Sequence, residues 1–179
     1  PRLGGMSLAA LARPAMVALR EATSETVQLG VLSGMAGTII EQVEGTQPLR
    51  IVVDLGLRFW LHNNAPGKLL LAHLSADQRD QVISQLELTA STPRTITSKS
   101  ELKKECDRIL SLGYSVDQAE SDEGVHCVAA PIMSEFEGVV GAIWVTGPAK
   151  RLPKSRFKEL GEQVKAAAAI TSQRIQQLG

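Results

Sequence analysis

Gly113-Tyr114-Ser115-Val116-Asp117-Gln118-Ala119-Glu120, followed by Gly124-Val125-His126-Cys127-Val128-Ala129-Ala130-Pro131-Ile132, is the stretch that decides the fold. A Gly138-led apolar run continues it and closes on Thr146-Gly147-Pro148 and Arg151. Small and β-branched residues predict strands over Ser115 to Ala119, Val125 to Pro131 and Val139 to Thr146. Ser134-Glu135-Phe136-Glu137-Gly138 predicts the hairpin turn between the last two. On or beside these strands sit an acid (Asp117), an imidazole (His126), a thiol (Cys127), an indole (Trp144) and a hydroxyl (Thr146). Polar groups converging on an apolar sheet mark a buried ligand pocket.

Upstream, Leu8, Leu11, Ala15, Leu19 and Ala22 recur at helical spacing. Pro14 lacks an N–H and clashes with the preceding turn, so residues 1–24 are expected to form a kinked helical segment or two short helices. Thr26 to Leu32 and Thr38 to Val43, parted by Gly34 and Gly37, predict a hairpin, and Leu49 to Leu55 a third strand. Asn63-Asn64-Ala65-Pro66-Gly67-Lys68 reads as a loop feeding a short buried helix, Leu69 to Ala72. Capping-box patterns at Ser75 and Ser98 open two further helices, and Gly113 stops the second. Residues Thr89 to Ser98 are polar and irregular. A last helix carries the seam Phe157, Leu160, Val164, Ala167, Thr171, Ile175 and Leu178. Strands joined by hairpins, with helices grouped apart, give an α+β class. The expectation is an antiparallel sheet of about five or six strands flanked by helices on one or both faces.

A chain of 179 residues with 44% hydrophobic residues supports one domain with a real core. Nineteen basic residues balance nineteen acidic ones, which gives no sign that this piece binds nucleic acid by itself. No run is long and apolar enough to span a bilayer. Two cysteines, Cys106 and Cys127, make no disulfide framework, so a reduced, cytoplasmic setting is the default expectation.

Taken together, the chain resembles the C-terminal effector-binding domain of IclR-type transcriptional regulators. The carrying residues are Glu25-Thr26-Val27, the His62 to Lys68 loop with its Gly67-Lys68, and Gly113-Tyr114. Asp117 with Glu120, Gly124 through Ile132, and Gly147-Pro148 with Arg151 complete the match, which covers nearly all 179 residues. The resemblance implies a GAF/profilin-like fold over 1–179, with a winged helix-turn-helix domain expected before residue 1. DNA would be met only through that domain. It also implies a small organic or aromatic acid as effector, homodimers or homotetramers, no cofactor and no membrane partner.

Site residues follow from the same match. Ala65, Pro66 and Gly67, after Asn64, correspond to the loop whose backbone holds the effector's acid group. The start of a helix suits a carboxylate, but Pro66 cannot donate, so anion binding is expected either to be weaker or to shift towards Gly67 and Lys68. Asp117 and Cys127 match effector-touching positions; Asp117 would bond an effector hydroxyl or fix a loop amine. The plainer alternatives are a surface acid and an inert buried thiol. Trp144 and Thr146, two apart on one strand, face the same side and match cavity-lining positions. Trp144 departs from the family's small hydroxyl residue, and either shrinks the cavity or gives a planar ligand a wall. Trp60, in the Arg58-Phe59-Trp60 cluster, reads as a pocket lid or subunit interface, or as plain packing under the loop.

His62, His73, His126 and Cys127 match no compact zinc spacing, so no metal is expected. Adjacent His126 and Cys127 point to opposite sides of a strand, which disfavours a Cys–His pair and places His126 in solvent. Three functions compete: an effector sensor, an enzyme with Cys127 as nucleophile, and a dimerisation module with a vestigial pocket. The first is the leading reading, because no nucleophile-elbow or similar signature supports the second.

Overall fold

The computed structural model describes residues 2–3 and 6–178. Two short strands, β1 (Arg2–Leu3) and β2 (Met6–Ser7), pair as a ribbon that leads into helix α1 (Leu8–Thr23). The ribbon was not anticipated, and Pro1, Gly4 and Gly5 of the expected helical segment lie outside the described residues. Helix α1 is not split in two: Pro14 sits within it on the exposed side. A proline there costs about 3 kcal/mol, which burial of Leu8, Leu11, Ala12, Ala15, Met16 and Leu19 on the opposite side offsets. Ser7 caps the helix by accepting the N–H of Ala10.

Strands β3 (Thr26–Ser33) and β4 (Ala36–Val43) form the expected hairpin. The third strand is displaced. Leu49 to Leu55 is irregular, and the partner of β4 is a two-residue edge strand, β5 (Arg58–Phe59). A side chain takes the place of the missing ladder: Gln42 Oε1 accepts the Val53 N–H at 3.2 Å, and its Nε2 donates to Val53 C=O at 3.3 Å. Helices α2 (Ala65–Ala72), α3 (Ala76–Gln85) and α4 (Lys99–Leu112) follow. Ser75 and Ser98 cap the latter two, and Gly113 ends α4 with φ 76°. Strands β6 (Ser115–Gln118), β7 (Val125–Ser134) and β8 (Gly138–Pro148) complete the sheet, and α5 (Phe157–Gln176) ends the fold.

The main sheet has six strands in the order β5-β4-β3-β8-β7-β6, with every pair antiparallel. Helices cover both faces. On one, α1 and α5 pack on Val27, Val43, Val128, Ile143 and Val145. On the other, α2, α3 and α4 pack on Ile39, Cys127, Ala129, Ala142 and Trp144. Double coverage corrects the expectation for His126. Both sides of β7 are interior, so His126 is buried, its Nδ1 donates to Leu152 C=O at 2.8 Å, and its ring meets Phe157 edge-on. Among the described residues, no helix is long and apolar enough to cross a membrane.

Candidate functional site

Strand register assembles the polar face. One row across the sheet reads Asp117, Cys127, Thr146, Thr26; the next on the same face reads Ser115, Ala129, Trp144, Gln28, Gln42. Period-two alternation puts all of these side chains towards α2 and α4. The indole is held by Gln28, itself fixed by Gln42, and by Phe59. Its Nε1 donates to Gln28 Oε1 (2.8 Å), Gln28 Nε2 donates to Gln42 Oε1 (2.7 Å), and the Phe59 ring meets it edge-on with centroids 5.6 Å apart. Phe59 reaches the indole because residue 37 is glycine: a Cβ there would lie 2.0 Å from the Phe59 ring.

Helix α2 starts at Ala65, so the expected loop residues form its first turn and are all buried. The turn presses on the preceding chain, where a Cβ on Gly67 would come within 2.2 Å of Trp60 C=O. Asn64 is the N-cap, and its Oδ1 accepts the Gly67 N–H at 2.8 Å. The Lys68 N–H donates to Asn64 C=O at 3.1 Å. Both amides are therefore already engaged, which argues against the shift of an anion towards them and for the alternative of weaker binding. With Pro66 lacking an N–H, Asn64 and Ala65 carry the two amides of this turn that have no intrahelical acceptor.

Between α2 and the sheet lies an open cleft of about 330 Å³. Of the predicted site residues, Trp60, Asn64, Pro66, Cys127 and Trp144 line it. Gln28, Ile39, Arg58, Phe59, Asn63, Ser91 and Ser121 line it as well. Trp60 stands 63% exposed at the rim, so it does not pack under the loop. Ala65, Gly67, Asp117 and Thr146 do not line the cleft. Ala65 and Gly67 face inwards, and the Thr146 hydroxyl accepts the Cys127 thiol hydrogen at 3.2 Å. Asp117 is fully buried, not a surface acid; Oδ1 accepts the Glu120 N–H (2.6 Å) and Oδ2 the Ser121 hydroxyl (3.0 Å). It thus holds the following loop.

That loop is under tension from several directions. Ala119 adopts φ 59°, uncommon for a residue with a side chain. Its carbonyl accepts the Thr92 hydroxyl (2.7 Å), and that of Glu120 accepts the Thr95 hydroxyl (2.6 Å). Lys68, buried, reaches in from α2 and donates to Glu120 Oε1 (2.8 Å), Val116 C=O (2.8 Å) and Glu105 Oε1 (3.0 Å). Burial, reinforced by the Glu120 charge, pushes the Asp117 carboxyl up to about 7, against the hydrogen bond from the Glu120 amide. Burial alone would raise Glu105, but Arg108 and Lys68 outweigh it and the carboxyl is lowered. The Cys127 thiol is pushed up by burial and by the Asp117 charge. A thiol held protonated is a poor nucleophile. Among the described residues, no three His, Cys, Asp or Glu side chains are grouped to hold a metal.

Sequence reading missed Gln28, Ser91 and Ser121. Gln28 had a signal, a polar residue two positions from Thr26 on a strand; the serines lie in irregular loops with no period to read.

The chain matches the family model described as bacterial transcriptional regulator IclR C-terminal over residues 2–173. It is 34% identical over 158 residues to the HTH-type transcriptional repressor AllR of Escherichia coli K12, covering 88% of this chain and 58% of AllR. It therefore spans little more than half of that relative's length. The Thermotoga maritima IclR crystal structure superposes with TM-score 0.90 at 30% identity, over 95% of this chain and 69% of that one. An IclR homologue from Microbacterium hydrocarbonoxydans, complexed with 4-hydroxybenzoate, shares the fold with TM-score 0.85 at 22% identity, over 95% and 68% of the two chains. These relatives are transcriptional regulators and not enzymes, so the reading of Cys127 as a catalytic nucleophile is set aside. The chain belongs to the IclR family of bacterial transcriptional regulators, whose C-terminal domain it carries.

Proposed function

We propose that this chain is the effector-sensing and oligomerisation domain of a cytoplasmic transcription factor, and that it controls DNA binding by a winged helix-turn-helix domain preceding residue 1. The effector is a small organic or aromatic acid. Its acid group lies towards the start of α2, where the helix dipole favours negative charge. Its ring lies against Trp144, with Trp60 as the rim. The observation that carries this reading is the cleft itself, which sets the indole of Trp144 and the thiol of Cys127 opposite the capped start of α2. The 4-hydroxybenzoate complex of the Microbacterium homologue supports the ligand class.

Binding switches a regulator only if the ligand favours one arrangement over another. Strand β3 offers the route: Gln28 faces the cleft, while neighbouring Val27 and Leu29 pack in the core that contains α1. The dimer or tetramer then passes the bias to DNA. A specific effector stabilises the folded state by mass action, so thermal melting with a panel of carboxylic and aromatic acids tests the proposal. A subset of aromatic acids is expected to raise Tm, and Trp144→Ser to enlarge the cleft and change which acids do so.

One observation favours a second reading. The occupied Gly67 amide and the missing one at Pro66 leave the start of α2 short of donors, as in a dimerisation module with a vestigial pocket. A flat melting response across the whole panel selects that reading.

A further inference from the structure

Asp117 does not line the cleft, yet it governs a group that does. The Ser121 hydroxyl donates to Asp117 Oδ2 at 3.0 Å, and Ser121 lines the cleft. A serine hydroxyl has one hydrogen to give and two lone pairs to accept with. With its hydrogen committed to Asp117, Ser121 offers the cleft only lone pairs. The rest of the loop leaves it little freedom to turn, because Thr92 and Thr95 fix the carbonyls of Ala119 and Glu120 and Lys68 holds the Glu120 carboxylate. Ser91, on the neighbouring segment whose Thr92 bonds the Ala119 carbonyl, has the reverse polarity. Its oxygen accepts from Asn63 Nδ2 at 2.9 Å, which leaves its own hydrogen to donate.

We infer that Ser121 is a specificity-determining residue that admits a ligand only where it presents a hydrogen-bond donor, and that Asp117 is the positioning residue that fixes this polarity. The inference rests on the effector-binding reading of the cleft and narrows its ligand from acids in general to hydroxy acids. An ether oxygen at the same place would face lone pairs with no hydrogen between them. That is an unmatched polar contact in a partly dry site, enough to cost about tenfold in affinity. The charged and titratable groups around Asp117 are Glu120 on the loop, Lys68 of α2, Glu105 of α4 and Cys127 of β7.

The test uses matched probes, 4- and 3-hydroxybenzoate against 4- and 3-methoxybenzoate, titrated calorimetrically into the 179-residue chain at pH 8.5, where Asp117 is ionised. The wild-type protein should bind one hydroxybenzoate at least about tenfold more tightly than its methyl ether. Ser121→Ala should bring the pair within about twofold. Asp117→Asn is the decisive variant. Its Oδ1 must still accept the Glu120 N–H, so its amide nitrogen faces Ser121 and donates, and the serine hydrogen turns into the cleft. The preference should then vanish or reverse towards the ether, which a merely structural role for Asp117 would not produce. Equal binding of hydroxy and methoxy probes by the wild-type protein, or a preference that survives Ser121→Ala, overturns the inference and leaves the effector-binding reading standing. Absence of binding for all four probes in the wild-type protein overturns the inference alone, and only a flat melting response across the whole acid panel overturns the effector-binding reading with it.

Discussion

The two faces of the six-stranded sheet are built from the same strands but obey different chemistry. On one, the row Val116, Val128, Val145, Val27, Val43 is apolar throughout and sealed by α1 and α5. One residue along each strand, the opposite face reads Asp117, Cys127, Thr146, Thr26, and its helices leave a cleft unfilled. The difference teaches how a small domain can be both rigid and receptive. Close packing on the apolar side fixes the strands, and the fixed strands hold polar groups in positions that burial would otherwise disfavour. Gln28 pins the Trp144 indole and Asp117 pins the Ser121 loop, so the walls of the cleft are set by hydrogen bonds and not by filling the space.

The comparison predicts where each face breaks. The largest effect is expected at Lys68. Lys68→Met leaves Glu120 and Glu105 without their buried cation, a loss of about 3–5 kcal/mol in urea unfolding, together with loosening of the 119–121 loop. Leu29→Ala opens a cavity in the apolar face and should cost about 3 kcal/mol. Its affinity for cleft ligands should stay within about twofold of wild type, since strand spacing is shared by many neighbours. Equal loss of binding in both variants would show that the faces are not separable.

A subtler effect concerns pH. Asp117 is raised from the ordinary 3.8 to about 7, so the folded state holds this proton more tightly than the unfolded chain does. Stability from this group is then largest at low pH and declines as pH rises from about 4 to about 7. Asp117→Asn removes that decline. Relative to wild type it should gain about 3 kcal/mol in unfolding free energy between pH 5 and pH 8. Parallel profiles for the two proteins would place Asp117 in a far less buried setting.

Much of this architecture was legible in the residues themselves. Small and β-branched residues over Val125 to Pro131 and Val139 to Thr146, the caps at Ser75 and Ser98, and Gly113 are local signals, and the corresponding elements formed as read. The failures share a non-local cause. Leu49 to Leu55 looks like a strand, but Gln42 occupies Val53 and the pairing passes to Arg58–Phe59. His126 looked exposed because alternation says which side a residue faces, not whether that side is covered. Lys68 ended a loop motif with no hint that its partners would come from Glu105, Val116 and Glu120, as many as 52 residues away. For the candidate site, the indole, the thiol and the start of α2 were found, whereas the two serines were not.

The margins of the main sheet carry a last consequence. β5 has two residues and β6 has four, so each outer strand offers a neighbouring chain very few free backbone groups. Such stubs are a recognised protection against strand-to-strand aggregation. Assembly through β5 or β6 is thereby disfavoured, and contacts made by side chains on helix flanks or loops can be tuned by single substitutions without risking fibre growth.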